Sequence, residues 1–294
     1  MMKKYATLLM TGMMLLALCA CRSVGVPDEP GKEQDIMRFK NDRDDFKTNL
    51  LVKGPSPQSY DEETPPEGVT EVTYQSGEYA LKAWLSDDPS DGKRHPAVVY
   101  VHGGFAFGLS DWEDVKAYLS AGFVLMTPML RGENDNPGYF EGFYGEVDDV
   151  IAAGEFLKQQ SYVDADRIYL SGHSSGGTIS MLCSMLPSPY KAVATFGASP
   201  DQKEFWEAWA DIAPFDVEDE SETDIRSPLK YIDSIQKPLF VYVAREDVGY
   251  HILSEQLVET AAEYGKDCEF ISMKGDHWSA LQPSIAESIM KFQE

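Results

Sequence analysis

One serine in this sequence sits where a nucleophile is built. Gly172-His173-Ser174-Ser175-Gly176 follows a short β-rich run at 168–170 and leads into a small-residue and apolar segment ending near Met185. That order predicts a strand, a sharp turn and a helix. The G-x-S-x-G spacing suits a strained turn that holds the serine hydroxyl clear of the backbone, with glycines two before and two after letting strand and helix approach closely. Chance supplies the pattern in roughly one chain in ten of this length, so the rest of the sequence has to decide. A serine hydroxyl is a poor nucleophile until a base takes its proton, and the base needs a third group to orient it.

Of the five histidines, His95 and His102 precede the turn. His173 lies within it and reads as a packing residue facing away from the nucleophile. His251 follows the candidate acid by four residues, an awkward spacing for a joint role. His277, in Gly275-Asp276-His277-Trp278, comes directly after an expected strand, at the sheet end where ligands gather in open α/β folds. For the acid, Asp247 ends the apolar run at 239–243 and is placed to reach a neighbouring loop, ahead of Glu246 and Asp276, which suit a helix cap or a surface charge. Donors for a developing oxyanion are expected in Val101-His102-Gly103-Gly104-Phe105. There the amide of Phe105 or Gly104 would act with that of Ser175.

Positioning these groups takes alternating strands and helices. Segments 69–74 and 79–85 alternate like antiparallel strands across a Ser76-Gly77 turn. Segment 96–101 is apolar throughout, as a strand buried on both faces would be, and 123–127, 168–171, 192–196, 239–243 and 268–273 supply further strands. Ser110 with Glu113 reads as a capping box opening a helix that ends near Gly122. Val147, Val150, Ile151 and Leu157 share a helical face, a helix after Leu253 stops at Gly265, and 281–292 is the last helix. The reading is α/β, with a mostly parallel eight-stranded sheet covered on both faces.

With 25 basic against 49 acidic residues, the surface repels phosphate backbones, which excludes nucleic acid as a partner. No Cys or His spacing suggests a metal, and no cofactor is expected; Cys183 and Cys268 read as small buried hydrophobes. At the N-terminus, Lys3 and Lys4 precede an uncharged run to Ala20 that is too short to span a bilayer and ends in Leu18-Cys19-Ala20-Cys21. This resembles a bacterial lipoprotein signal, with Cys21 lipidated. Arg22 after it implies the outer rather than the inner membrane. Residues 1–20 are therefore expected to be a signal peptide and 21–68 an anchor and linker, including a Pro-rich acidic spacer at 53–68. Residues 69–294 are expected to form the catalytic domain.

His102-Gly103-Gly104-Phe105, Arg131-Gly132, Asp148-Asp149, Gly172 to Gly177, Arg226-Ser227-Pro228-Leu229, Asp247 and His277 form an ordered set over about three quarters of the chain. In that set the sequence resembles an α/β-hydrolase, specifically the catalytic domain of the prolyl oligopeptidase family and its esterase relatives. The resemblance implies a serine hydrolase with Ser174, Asp247 and His277 as its triad, and an Arg131–Asp149 ion pair bracing the sheet end. Residues 22–68 are too few for the β-propeller those peptidases carry, which puts an esterase ahead of a small exopeptidase. A catalytically idle envelope binding protein is the rival from another class. The insertion at 199–225, with ten acidic residues between Asp201 and Asp224, stands where such folds hang a cap. Trp206 and Trp209 from it, with Tyr144, are the expected substrate contacts for a small ester or short peptide. The sequence assigns no oligomeric state.

Overall fold

A segment with no polar face must be covered on both sides, and this requirement sets the architecture. The computed structural model describes residues 36–294; the expected signal peptide and Cys21 lie outside the described residues. The strands are β1 (Val69–Ser76), β2 (Tyr79–Ser86), β3 (His95–Val101), β4 (Val124–Pro128), β5 (Val163–His173), β6 (Val193–Phe196), β7 (Leu239–Ala244) and β8 (Cys268–Met273). They form one sheet in the order β1-β2-β4-β3-β5-β6-β7-β8. β2 pairs antiparallel with β1 and β4, and the other pairs are parallel. In β3, Ala97, Val99 and Val101 face one hydrophobic layer and Val98 and Tyr100 the other, all buried. The helices are α1 (Arg38–Asp45), α2 (Leu109–Val115), α3 (Ala117–Ser120), α4 (Glu146–Lys158), α5 (Ser174–Ser184), α6 (Gln202–Ala208), α7 (Glu220–Asp224), α8 (Val248–Glu263) and α9 (Leu281–Gln293). Val147, Val150, Ala153 and Leu157 of α4 fill the first layer, and Leu281, Ile285 and Phe292 of α9 the second. This is the α/β-hydrolase architecture.

Two local expectations are corrected. Helix α2 begins at Leu109, and its cap is Gly108, whose N–H donates to Asp111 Oδ2 at 2.9 Å. Asp111, not Glu113, stands three residues past the cap, so the box falls two residues before the Ser110/Glu113 pair; Glu113 instead pairs with Lys116. The Pro-rich segment at 53–68 is also no free spacer. Its backbone is held by Ser56 N–H to Gly132 O at 2.9 Å and by Phe140 N–H to Gly54 O at 3.0 Å. Prolines fix an extended path that lies against the domain surface. Upstream, Phe39 is fully buried against Tyr231, and Arg38 binds Asp233 at 2.7 Å.

The insertion is fastened from within by Arg226. This fully buried guanidinium donates to Glu222 Oε2 at 2.6 Å, to Gly142 O at 2.8 Å, to Glu141 O at 2.9 Å and to Thr48 Oγ1 at 2.7 Å. Glu222 in turn accepts the Asn49 N–H at 2.6 Å. One charge pair therefore ties the insertion, the loop before α4 and the N-terminal segment together. Replacing Arg226 with Met removes the cation and leaves a buried carboxylate. Urea unfolding is expected to show a loss of about 3 kcal/mol or more, whereas a surface arginine such as Arg167 should lose well under 1 kcal/mol on the same change.

Candidate active site

The turn after β5 is the closest packing in the site. Ser174 has φ 53°, a left-handed conformation that a side chain adopts at a cost of order 1–3 kcal/mol and that points its hydroxyl outward. The flanking glycines are required by contact: a Cβ on Gly172 would lie 2.3 Å from Gly176 O, and one on Gly176 would lie 2.3 Å from both Val101 O and His102 O. The second pair of contacts presses the end of β3, and hence the 102–105 loop, against the serine.

His277 Nδ1 lies 2.7 Å from Asp247 Oδ2. A carboxylate can only accept, so Nδ1 carries the proton and Nε2 is left with a free lone pair, the tautomer a general base needs. Asp247 stands at the start of α8, after β7, and His277 in the loop after β8. Gly197, at the end of β6 with φ 59°, lets the imidazole sit close: a Cβ there would be 3.0 Å from its Cε1 and Nδ1. His173 does not face away as expected. Its ring packs 4.8 Å from that of His277, because the strand-to-turn geometry that lifts Ser174 turns its neighbour beneath the base. Burial, then the neighbouring His277, lowers the His173 pKa to about 4, so this imidazole stays neutral and adds no cation beside the base. His251 bonds Ser272 Oγ at 2.9 Å, away from the triad.

Ser174, Ser175, Gly104, Phe105, Asp247 and His277 line one cavity of about 660 Å³. Its remaining walls are Pro57, Gln58, Phe205, Trp209, Ile212, Tyr250 and Trp278. Trp209 lines the cavity as expected, half-exposed at its mouth. Trp206 does not: it is fully buried, packed against Phe143 at 5.1 Å and Phe215 at 5.3 Å. Tyr144 does not either, since its hydroxyl donates to Phe46 O at 3.0 Å. Residues three apart would share a face of a continuing helix, but α6 ends at Ala208 and Trp209, with φ −114° and ψ 26°, turns out of it, leaving Trp206 and not Trp209 on the core side. Trp278 and Tyr250 follow His277 and Asp247 closely in sequence, a proximity that could have flagged them. Pro57 and Gln58 carry no local signal at all. Arg131 binds Asp149 at 2.8 and 2.9 Å and Glu141 at 2.8 Å outside the cavity, the expected brace.

A profile of the prolyl oligopeptidase family matches residues 113–292. The chain belongs to the prolyl oligopeptidase family. Like that family it is a serine hydrolase, peptidase or esterase. It is 25% identical over 201 residues to the uncharacterized peptidase YtmA of Bacillus subtilis, covering 64% of this chain and 77% of the relative. The fold is similar to Pyrococcus horikoshii acylaminoacyl peptidase, with a TM-score of 0.61 at 18% identity, over 76% of this chain and 40% of that one. It is also similar to the Pyrococcus furiosus esterase PF2001, with a TM-score of 0.65 at 16% identity, over 82% and 96%. This family member thus spans less than half of the acylaminoacyl peptidase and nearly the whole of the esterase.

The loop carrying Gly104 and Phe105 is held by His102, whose Nδ1 lies 3.0 Å from Gly103 O and Nε2 3.1 Å from Glu133 Oε2. Both partners are acceptors, so both ring nitrogens must donate and the ring is a cation. Burial opposes that charge, but Glu133 outweighs it and raises the pKa to about 9. A histidine whose folded pKa is raised contributes its full stability below the unfolded value near 6.5 and loses it as pH rises through the folded value. The stability advantage of wild type over His102→Gln in urea unfolding is therefore expected to reach up to about 3 kcal/mol at pH 6. It should disappear above about pH 9; an advantage that is flat with pH would refute the cationic assignment.

Proposed function

We propose that the protein hydrolyses neutral carboxylic esters bearing an apolar or aromatic group, through an acyl-enzyme on Ser174. The observation that carries this reading is the cavity lining. Asp247 is the one carboxylate among its lining residues and is engaged by His277, while the other walls are aromatic, aliphatic or amide. The ten acids of the insertion do not line the cavity. Glu222 is sealed against Arg226, and Glu220 and Asp224 pair with Lys203 and Lys230. A peptide amino terminus would meet no free countercharge there, and desolvating it unpaired is costly.

In this reading Ser174 Oγ attacks the ester carbonyl as His277 Nε2 takes its proton. The negative charge that develops on the carbonyl oxygen is held by the N–H groups of Phe105 and Ser175. Asp247 stabilises the imidazolium, which then protonates the departing alcohol. Water, activated by the same imidazole, releases the acid. The similarity to an acylaminoacyl peptidase favours a second reading on the same residues: cleavage of peptides whose amino terminus is blocked and therefore uncharged.

A fluorophosphonate probe should label the protein, and Ser174→Ala should abolish labelling. A folded protein without Ser174-dependent labelling would instead favour the envelope binding protein. Short acyl p-nitrophenyl esters are expected to turn over faster than amino-acyl amides, and the reverse order would overturn the ester reading. Asp247→Asn, which presents an amide to Nδ1 and so disfavours the needed tautomer, should lower kcat by about 10³-fold or more.

The lipobox-like Leu18-Cys19-Ala20-Cys21 supports a further proposal, that Cys21 anchors the enzyme in the bacterial envelope, on the outer membrane. Labelled palmitate should be incorporated into the wild-type chain and not into Cys21→Ala; equal incorporation would sink the anchor.

A further inference from the structure

The oxyanion site is already occupied by part of the chain. Gln58 Oε1 accepts the Phe105 N–H at 2.9 Å, the amide that the proposed mechanism gives to the substrate's carbonyl oxygen. A primary-amide carbonyl is the same kind of acceptor as the carbonyl of a bound ester or peptide, and it approaches this loop closely: a Cβ on Gly104 would lie 2.6 Å from the same oxygen. The strap bearing Gln58 is tied down on both sides. Before it, Ser56 N–H donates to Gly132 O at 2.9 Å and Ser56 Oγ donates to Phe105 O. After it, Glu63 accepts the Leu109 N–H. Between these ties Pro57, Gln58 and Ser59 are exposed to solvent, and Pro57 and Gln58 form one wall of the cavity. The side chain can therefore leave without unfastening the strap.

We propose that Gln58 is a resident substrate mimic that closes the oxyanion site of the free enzyme and is displaced when the acyl group binds. The inference rests on the reading of Phe105 N–H as an oxyanion donor. One N–H cannot serve both carbonyls, so each substrate competes with the side chain, and its apparent affinity falls with the fraction of open enzyme. That factor is the same for an acetyl as for an octanoyl ester, so the side chain lowers reactivity without ranking substrates by size.

The test compares wild type with Gln58→Ala and with Gln58→Asn, whose amide is one methylene too short to reach. Fluorophosphonate labelling of Ser174 and kcat/KM for acetyl and octanoyl p-nitrophenyl esters are the readouts. Both variants are expected to label about fivefold faster, as loss of one modest hydrogen bond implies. Both should gain about fivefold in kcat/KM on the acetyl and on the octanoyl ester alike. A gain confined to one ester would overturn a uniform competition at the Phe105 N–H. Unchanged or slower labelling in both variants would overturn the mimic, while Ser174-dependent labelling would leave the hydrolase reading standing. Labelling absent from wild type and both variants would remove that reading and the mimic with it.

Discussion

The contact on which the rest of the structure depends is the one between Gly176 and the carbonyls of Val101 and His102. It brings the start of α5 under the end of β3 with no room for a side-chain carbon. Ser174 and the Phe105 amide come from segments far apart in the sequence, and this packing sets the distance between them. The strain at Ser174, φ 53°, is maintained because β5 is paired on both sides, by β3 and β6, and α5 is buried along its length. Strain in one residue persists when its surroundings leave no alternative.

Charge is distributed on the same principle. The chain is strongly acidic, yet the cavity around the serine is nearly free of uncompensated charge. Three buried ion pairs each have a structural task. Arg226 and Glu222 fasten the insertion, Arg131 and Asp149 brace the sheet end, and His102 and Glu133 hold the loop that carries Gly104 and Phe105. Among the described ion pairs the His277–Asp247 pair, partly accessible to solvent, lines the cavity. His173 completes the arrangement by remaining neutral under the base.

The segments outside the alternating core shape the cavity. The insertion buries Trp206 and Phe215 to attach itself and leaves Phe205, Trp209 and Ile212 as wall, and the N-terminal strap adds Pro57 and Gln58. Much of the cavity wall thus comes from elements attached to the hydrolase frame, while Ser174, Asp247 and His277 come from the frame itself.

The sequence by itself determined the strands, the helices and the order of Ser174, Asp247 and His277. Fully apolar runs such as 96–101 and glycine spacings such as 172–176 record local backbone and solvent constraints. Their period and position are therefore readable along the chain. Tertiary structure alone decided which aromatics face the cavity, since Trp206 and Trp209 have similar neighbours and differ only in which side of the insertion meets the core. It alone placed Gln58 on the Phe105 amide, a contact across 47 residues that no local pattern encodes. It also turned His173 toward the base, because side-chain direction at a strained turn depends on the packing of β3, β5 and α5 together. Proximity between distant segments is a property of the packed layers, and it is there that the cavity's walls were settled.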